Sequence, residues 1–147
     1  MKRSGGGNIA AAVSLAILIA GCTGTGHSPS LAGTAWTLAG MRNDAGDLVP
    51  VLAGTVVTAE FSPEGRVTGS AGCNRYFAGY ATRGNTIIIT GAGSTKMFCG
   101  TPEGVMLQES RFLAHLTAAT SCSIDGTTLT LRGSGGESLL VFRERTV

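Results

Sequence analysis

Cysteine and histidine are residue types whose side chains can ligate a metal or take part in attack on a substrate. Cys73, Cys99 and Cys122 are far apart and include no C-x-x-C pair, so their spacing does not indicate a zinc site. His115 alone could serve a Ser-His-Asp triad, because His27 stands in a polar segment, and no G-x-S-x-G turn accompanies it. We therefore expect no catalytic residues, no metal and no cofactor, and the chain is not predicted to be an enzyme.

The remaining cysteine, Cys22, stands in a different context. Two basic residues precede an apolar run at residues 9–20, which is shorter than the roughly 20 residues that span a bilayer and suits a signal peptide. A glycine and Cys22 end the run as in a bacterial lipobox, where the thiol receives a diacylglycerol. We predict a signal peptide at residues 1–21, a lipid on Cys22 and a flexible tether at residues 22–30. The alternative is an ordinary signal peptide or a buried helix.

The charge of the chain bears on its partners. The full sequence has 11 Lys+Arg and 9 Asp+Glu, and two of the basic residues belong to the predicted signal peptide. The mature part would then carry no net charge and no basic stripe, so a nucleic-acid partner is not expected. We expect the lipid to hold the chain at the cell membrane, facing outward on the periplasmic or extracellular side. Its partner there would be another envelope protein or a lipid.

Apolar alternation and turn residues predict mostly β-strands beyond residue 31. The predicted strands after the opening segment around Trp36 lie at residues 55–61, 66–70, 76–81, 86–90, 121–124, 128–132 and 138–143. One helix is predicted to begin at Thr101 as N-cap, with Pro102 in its first position, and to fade near residues 118–120. The pattern indicates an α+β fold, a mostly antiparallel curved sheet or partial barrel with one packed helix.

Two short blocks carry a resemblance to a known family. The first is Gly72-Cys73-Asn74-Arg75-Tyr76, and the second is Thr95-Lys96-Met97-Phe98-Cys99. In combination they resemble the META domain family, which includes HslJ-like heat-shock lipoproteins, and we assign residues 31–147 to one such domain. The resemblance implies a small sheet-rich fold with one helix. It also implies an envelope location and an association with stress tolerance, drug tolerance, secretion or motility, and it brings no catalytic residues.

The resemblance also bears on the cysteines of the domain. Cys73 and Cys99 are the two that match the family, and in an exported chain we expect them to be bridged. Such a bridge would stabilise the fold by roughly 3–4 kcal/mol, and two buried reduced thiols are the alternative. Cys122 is an addition to the family pattern and is expected to be a small, buried apolar residue. Phe98 stands where many members carry a small residue.

The residues Asn74, Arg75 and Tyr76 allow two interpretations. In the first they belong to a tight turn, in which Gly72 supplies backbone freedom and the Asn74 side chain caps local amides. In the second they form a recognition rim that meets a partner or the head group of a ligand. Both interpretations stay open at the level of sequence.

Three functions are compatible with the sequence. The first is a binding or scaffolding module of the cell envelope, and the second is a carrier of a lipid or small apolar ligand held between helix and sheet. The third is inhibition of an envelope enzyme through exposed loops. A carrier needs empty space among its apolar side chains. We expect instead that these side chains fill the core, namely those of Ile87, Ile89, Met97, Met106, Leu113 and Leu140.

Overall fold

Nine β-strands and one α-helix follow one another along residues 30–146, the part of the chain that the computed structural model describes. Their bounds are β1 Thr34–Arg42, β2 Leu48–Val49, β3 Thr58–Phe61, β4 Arg66–Ser70, β5 Arg75–Arg83, β6 Thr86–Ser94, α1 Val105–Ala118, β7 Ser121–Asp125, β8 Thr128–Arg132 and β9 Ser138–Glu144. The short strand β2 is not among the strands that the sequence predicts.

The strands form one antiparallel sheet that curves back on itself. Their order is β2-β1-β3-β4-β5-β6-β7-β8-β9, and a further pairing between β1 and β9 closes the ring. The narrowest seam lies between β6 and β7, which pair only at Thr86 and Ser121. The predicted fold class, a mostly antiparallel curved sheet with one packed helix, is confirmed.

The hairpin of β3 and β4 shows why these residues form strands. Val57, Ala59 and Phe61 are buried, whereas Glu60 between them is exposed, as expected from a period of two. Gly65 has a φ of 82°, which suits the tight turn before β4. The hairpin and its turn are therefore as the sequence predicts.

Helix α1 lies against the sheet and contributes its apolar side to the core. A helix of 14 residues is marginal in water on its own, so packing must stabilise it. The ring of Phe112 stands edge-on to Tyr76, with centroids 5.2 Å apart, and to Phe142, with centroids 6.5 Å apart. The buried helix residues are Val105, Gln108, Glu109, Phe112 and Leu116.

The start of the helix differs from the prediction. Thr101 is not its N-cap and Pro102 is not its first residue, because Gly104 holds the N-cap position with a φ of 87° and Val105 begins the helix. A turn precedes it, in which the Val105 amide donates to the carbonyl of Pro102 at 3.2 Å. The proline thus sits in a turn that the glycine ends. The predicted fading near residue 118 is confirmed.

The interior of the ring is filled by large side chains. Trp36, Phe61, Phe112 and Phe142 are all fully buried, and Ile87, Ile89 and Leu140 join them as expected. The remaining predicted core residues differ: Met97 is exposed, while Met106 and Leu113 are half-buried. These three residues lie at the outer side of α1 and its preceding loop, where the closed ring leaves them outside the core.

The predictions for the N-terminus concern residues that lie outside the described part of the chain. They comprise the signal peptide at residues 1–21, the lipid on Cys22, and all of the tether except Ser30. Among residues 30–146, no helix is both long and apolar enough to cross a membrane.

Candidate functional site

The block that carries the resemblance forms a tight turn between β4 and β5. The Ala71 amide donates to the carbonyl of Asn74 at 2.8 Å, and Gly72 within the turn has a φ of 115°. A Cβ atom on Gly72 would stand 3.4 Å from the Gln108 side chain and 3.5 Å from that of Val105, both on α1. The glycine is therefore required by its backbone conformation, whereas a Cβ at these distances would make only ordinary van der Waals contact with the helix.

Glu109 of α1 reaches into this turn and satisfies its amides. One carboxylate oxygen accepts from the backbone amides of Cys73 at 3.1 Å and Asn74 at 2.7 Å, and the other accepts from Nδ2 of Asn74 at 2.6 Å. Glu109 is 5% exposed and Asn74 is 2% exposed. Hydrogen bonds to a charged group are the stronger kind, so this contact joins helix and turn firmly.

The Asn74 side chain also holds the chain segment that follows β6. Its Oδ1 accepts from the Met97 amide at 2.7 Å and from Oγ1 of Thr95 at 2.9 Å, while Nδ2 donates to the Met97 carbonyl at 3.0 Å. One amide side chain thus pairs with both backbone groups of Met97, as a neighbouring strand would. We name residues 95–104, which connect β6 to α1, the anchored loop.

A disulfide provides the second attachment of the anchored loop. Cys73 and Cys99 are bonded, with 6.0 Å between their Cα atoms, so the structure contains the pairing that the resemblance implied. The bridge joins residues 26 positions apart, and closing a loop of that length stabilises the fold by about 3–4 kcal/mol in the chain-entropy model. Asn74 holds Met97 and the disulfide holds Cys99, so Phe98 is flanked by two fixed residues.

Phe98 is consequently both constrained and exposed. Its side chain is 83% exposed and that of Met97 is 59% exposed. An exposed phenylalanine on a mobile loop would need no explanation. Here, however, the backbone on both sides of Phe98 is fixed, on one side by the Asn74 side chain and on the other by the disulfide. Aromatic side chains, phenylalanine included, are enriched in the buried parts of protein interfaces.

A groove runs beside the anchored loop, between the end of β6 and the outer side of α1. It consists of two adjoining depressions of 370 and 290 Å³ that share Ser94, Lys96 and Leu113. We name it the helix groove. Its walls include Ser94, Lys96 and Met97 on one side and Met106, Leu113 and Ala114 on the other.

The structure separates the three residues of the predicted recognition rim. Arg75 is exposed, but Asn74 and Tyr76 are each only 2% exposed and are not available to a partner. The Tyr76 hydroxyl donates to the Thr58 carbonyl at 2.7 Å, and burial raises the pKa of Tyr76 well above its ordinary value. The rim interpretation is therefore corrected for these two residues, and the geometry is that of the tight turn.

The other residues with reactive side chains are held elsewhere. Nε2 of His115 lies 2.8 Å from the Arg42 carbonyl, and the residue is half-buried. Cys122 is a free cysteine in β7, half-buried rather than fully buried, and burial raises the pKa of its thiol. It lines a 380 Å³ pocket with Leu31 and Asn85. No group of three potential metal ligands occurs within residues 30–146.

Sequence reasoning missed Glu109 and Gln108 as members of the site. Gln108 accepts from the Leu52 amide at 2.7 Å and donates to Oγ1 of Thr55 at 3.0 Å, so it ties α1 to the segment before β3. A signal was present, because the helical period that buries Val105 and Phe112 also points these two polar residues inward.

Comparison with known proteins agrees with this geometry. The model of the META domain family matches residues 29–146, which include every strand, the helix and both cysteines of the disulfide. The chain belongs to the META domain family. No curated protein matches this META domain.

Solved structures share the fold of this META domain. An NMR structure of a protein from Burkholderia xenovorans is 26% identical, with a TM-score of 0.67 over 80% of this chain and 85% of that one. A second NMR structure is 17% identical, with a TM-score of 0.58 over 76% and 88%. The crystal structure of a DUF4847 family protein from Bacteroides vulgatus is 16% identical, with a TM-score of 0.55 over 80% and 96%. The latter two support the fold alone.

Proposed function

We propose that this protein is a non-enzymatic lipoprotein of the bacterial cell envelope whose META domain binds another envelope protein. The observation that carries the proposal is Phe98, which is 83% exposed on a loop fixed by the Cys73–Cys99 disulfide and by the Asn74 side chain. The lipobox around Cys22 and the family support the location. A disulfide inside the domain also suits an oxidising compartment.

Energetics favour Phe98 over the other exposed apolar residues as the contact. Burying a phenylalanine side chain contributes about 1.5–3 kcal/mol. Fixing a loop on binding normally offsets part of such a gain, but the anchored loop is already fixed by the contacts of Met97 and Cys99. Single exposed apolar residues, such as Ile88 on β6 and Val56 before β3, are common on soluble proteins and need no partner.

The carrier function receives less support from the described residues. A lipid carrier needs an interior cavity, whereas the ring is filled by Trp36, Phe61, Phe112 and Phe142. We therefore favour a scaffolding role in envelope stress, drug tolerance or secretion. Whether the bound partner is assisted or inhibited would follow from its identity.

Photocrosslinking in intact cells tests this function. A benzoylphenylalanine residue replaces Phe98 in the lipidated chain, and the matched control carries it at Ile88, which is also exposed and apolar but lies within a regular strand. We expect a reproducible protein adduct at position 98 that is absent at position 88. Equal labelling at both positions, or no adduct at position 98, would contradict the proposal.

A further inference from the structure

Within residues 30–146, the seam between β6 and β7 leaves a strand edge without a β partner. Beside the single pair Thr86–Ser121, the two strands are joined by bonds from the Ile87 amide to the Thr120 carbonyl at 3.1 Å and from the Cys122 amide to the Asn85 carbonyl at 2.8 Å. From residue 88 to residue 94, β6 pairs only with β5. An unpaired edge of this kind can accept an added strand.

The polar backbone groups at the end of this edge point into the helix groove. The Thr95 amide donates to the Arg75 carbonyl at 3.0 Å, toward the β5 side. The Met97 amide also points away from the groove, toward Oδ1 of Asn74, so alternation along an extended chain places the groups of Ser94 and Lys96 on the groove side, whereas a β-bulge between Thr90 and Gly93 interrupts it further back. Both residues line the groove. The edge therefore offers two amides and two carbonyls to an incoming chain.

The dimensions of the helix groove suit an extended peptide. Its helical wall extends from Met106 to Thr117, which corresponds to about 16 Å along the helix axis. An extended chain covers about 3.3 Å per residue, so roughly five residues match that length. The 370 Å³ depression lies at the low end of the range of roughly 300–1,000 Å³ that accommodates ligands, and the adjoining 290 Å³ depression extends it.

The charges of the groove favour an acidic residue in that peptide. The Glu109 carboxylate already accepts three hydrogen bonds from Cys73 and Asn74. Lys96 on the opposite wall is exposed, and neither of the two ion pairs within residues 30–146 includes it. Met106 and Leu113 provide half-buried apolar contacts, and methionine adapts to varied side chains.

We propose that the helix groove binds an extended segment of a partner protein, which adds to the edge of β6 through backbone hydrogen bonds. Alternate apolar side chains of the segment contact Met106 and Leu113, and an acidic residue lies beside Lys96. The inference rests on the proposed function, since it names the part of an envelope partner that the domain recognises. Phe98 lies at one end of the same groove and contacts residues beyond the segment.

Peptide selection provides the test. The mature chain with Cys22→Ser is exported, so that the disulfide forms without a lipid, and random heptapeptides displayed on phage are selected against it. Ala114→Trp fills the groove from an exposed position, and Ala81→Trp adds the same side chain at an exposed position of β5 near the closed end of the hairpin, away from the groove. We expect at least tenfold weaker binding of the selected peptide to Ala114→Trp and unchanged binding to Ala81→Trp.

Two further measurements examine the chemistry. Methylation of the peptide amides that face β6 should weaken binding at least tenfold, because each loses a backbone hydrogen bond. Lys96→Glu should weaken an acidic peptide about threefold and select basic peptides instead. Failure to select any peptide, or equal binding by both tryptophan variants, would overturn the inference. So would a dimer or a retained lipid that Ala114→Trp displaces, because either would be the occupant instead.

The outcomes separate the inference from the function on which it rests. One outcome is an adduct at position 98 in cells together with peptide binding that Ala114→Trp does not weaken. It would refute the helix groove as the binding site and leave the proposed binding function intact. Absence of any adduct at position 98 would refute the function, whichever peptides are selected.

Discussion

Replacing Asn74 with alanine tests whether one amide side chain holds the anchored loop. The change removes a hydrogen bond to the Glu109 carboxylate, which is worth about 1.5–3 kcal/mol, and three neutral bonds to Thr95 and Met97 of about 0.5–1.5 kcal/mol each. Water can replace part of the neutral bonds, because Met97 is exposed. We expect the free energy of unfolding to fall by about 3–5 kcal/mol.

Guanidinium unfolding followed by fluorescence provides the measurement. Trp36 is the single tryptophan of the chain and is buried in the ring, so its emission reports on global unfolding. Arg75→Ala is the matched control, since this neighbouring side chain is exposed and should change stability by less than about 0.5 kcal/mol. A loss below about 1 kcal/mol for Asn74→Ala, with Arg75→Ala equal to it, would show that the turn does not depend on this side chain.

Three further predictions concern the disulfide, the free thiol and a strand glycine. The double variant Cys73→Ala, Cys99→Ala should be about 3–4 kcal/mol less stable than oxidised wild-type protein in guanidinium unfolding. An equally large difference from reduced wild-type protein would contradict the loop-closure reasoning, because that protein lacks the bridge as well. Burial raises the pKa of the Cys122 thiol, so less thiolate is present in the native state at pH 8 and alkylation should be slower than in denatured protein; equal rates would show that the thiol is open to solvent. Gly69→Ala should destabilise the domain by about 3 kcal/mol, because a Cβ there would lie 2.1 Å from a backbone carbonyl oxygen, whereas Gly40→Ala, with its nearest atom at 3.6 Å, should cost far less.

The strands were largely predictable because their signals are local. Alternation of Val57, Ala59 and Phe61 identified β3, and the turn ending at Gly65 separated it from β4. The start of the helix was not predictable in this way. Thr101 and Pro102 are residues typical of a helix N-terminus, but Gly104, with a φ of 87°, ends the turn before α1. Which of two adjacent signals prevails depends on how the helix docks on the sheet, and that information is not local.

The site was predictable only in part for the same reason. Family resemblance indicated the pairing of Cys73 with Cys99, and the tight-turn interpretation anticipated the role of the Asn74 side chain. The helical period points Glu109 inward, but its contact with Asn74 joins residues 35 positions apart, and no local pattern identifies that partner. Burial of Tyr76 likewise depends on Phe112 of the helix lying against it.

The β5–β6 hairpin determines how far Phe98 stands from the point where the chain enters the domain. Ser30 and Leu31 line the same pocket as Gly84 and Asn85, at the closed end of the hairpin, whereas Cys73 and Met97 lie beyond its open end. Nine residues of β5 separate the two ends, a span of roughly 26 Å. A chain held from its N-terminal side would therefore use the hairpin as a rigid spacer, with Phe98 at the far pole and able to reach partners that do not touch the membrane surface.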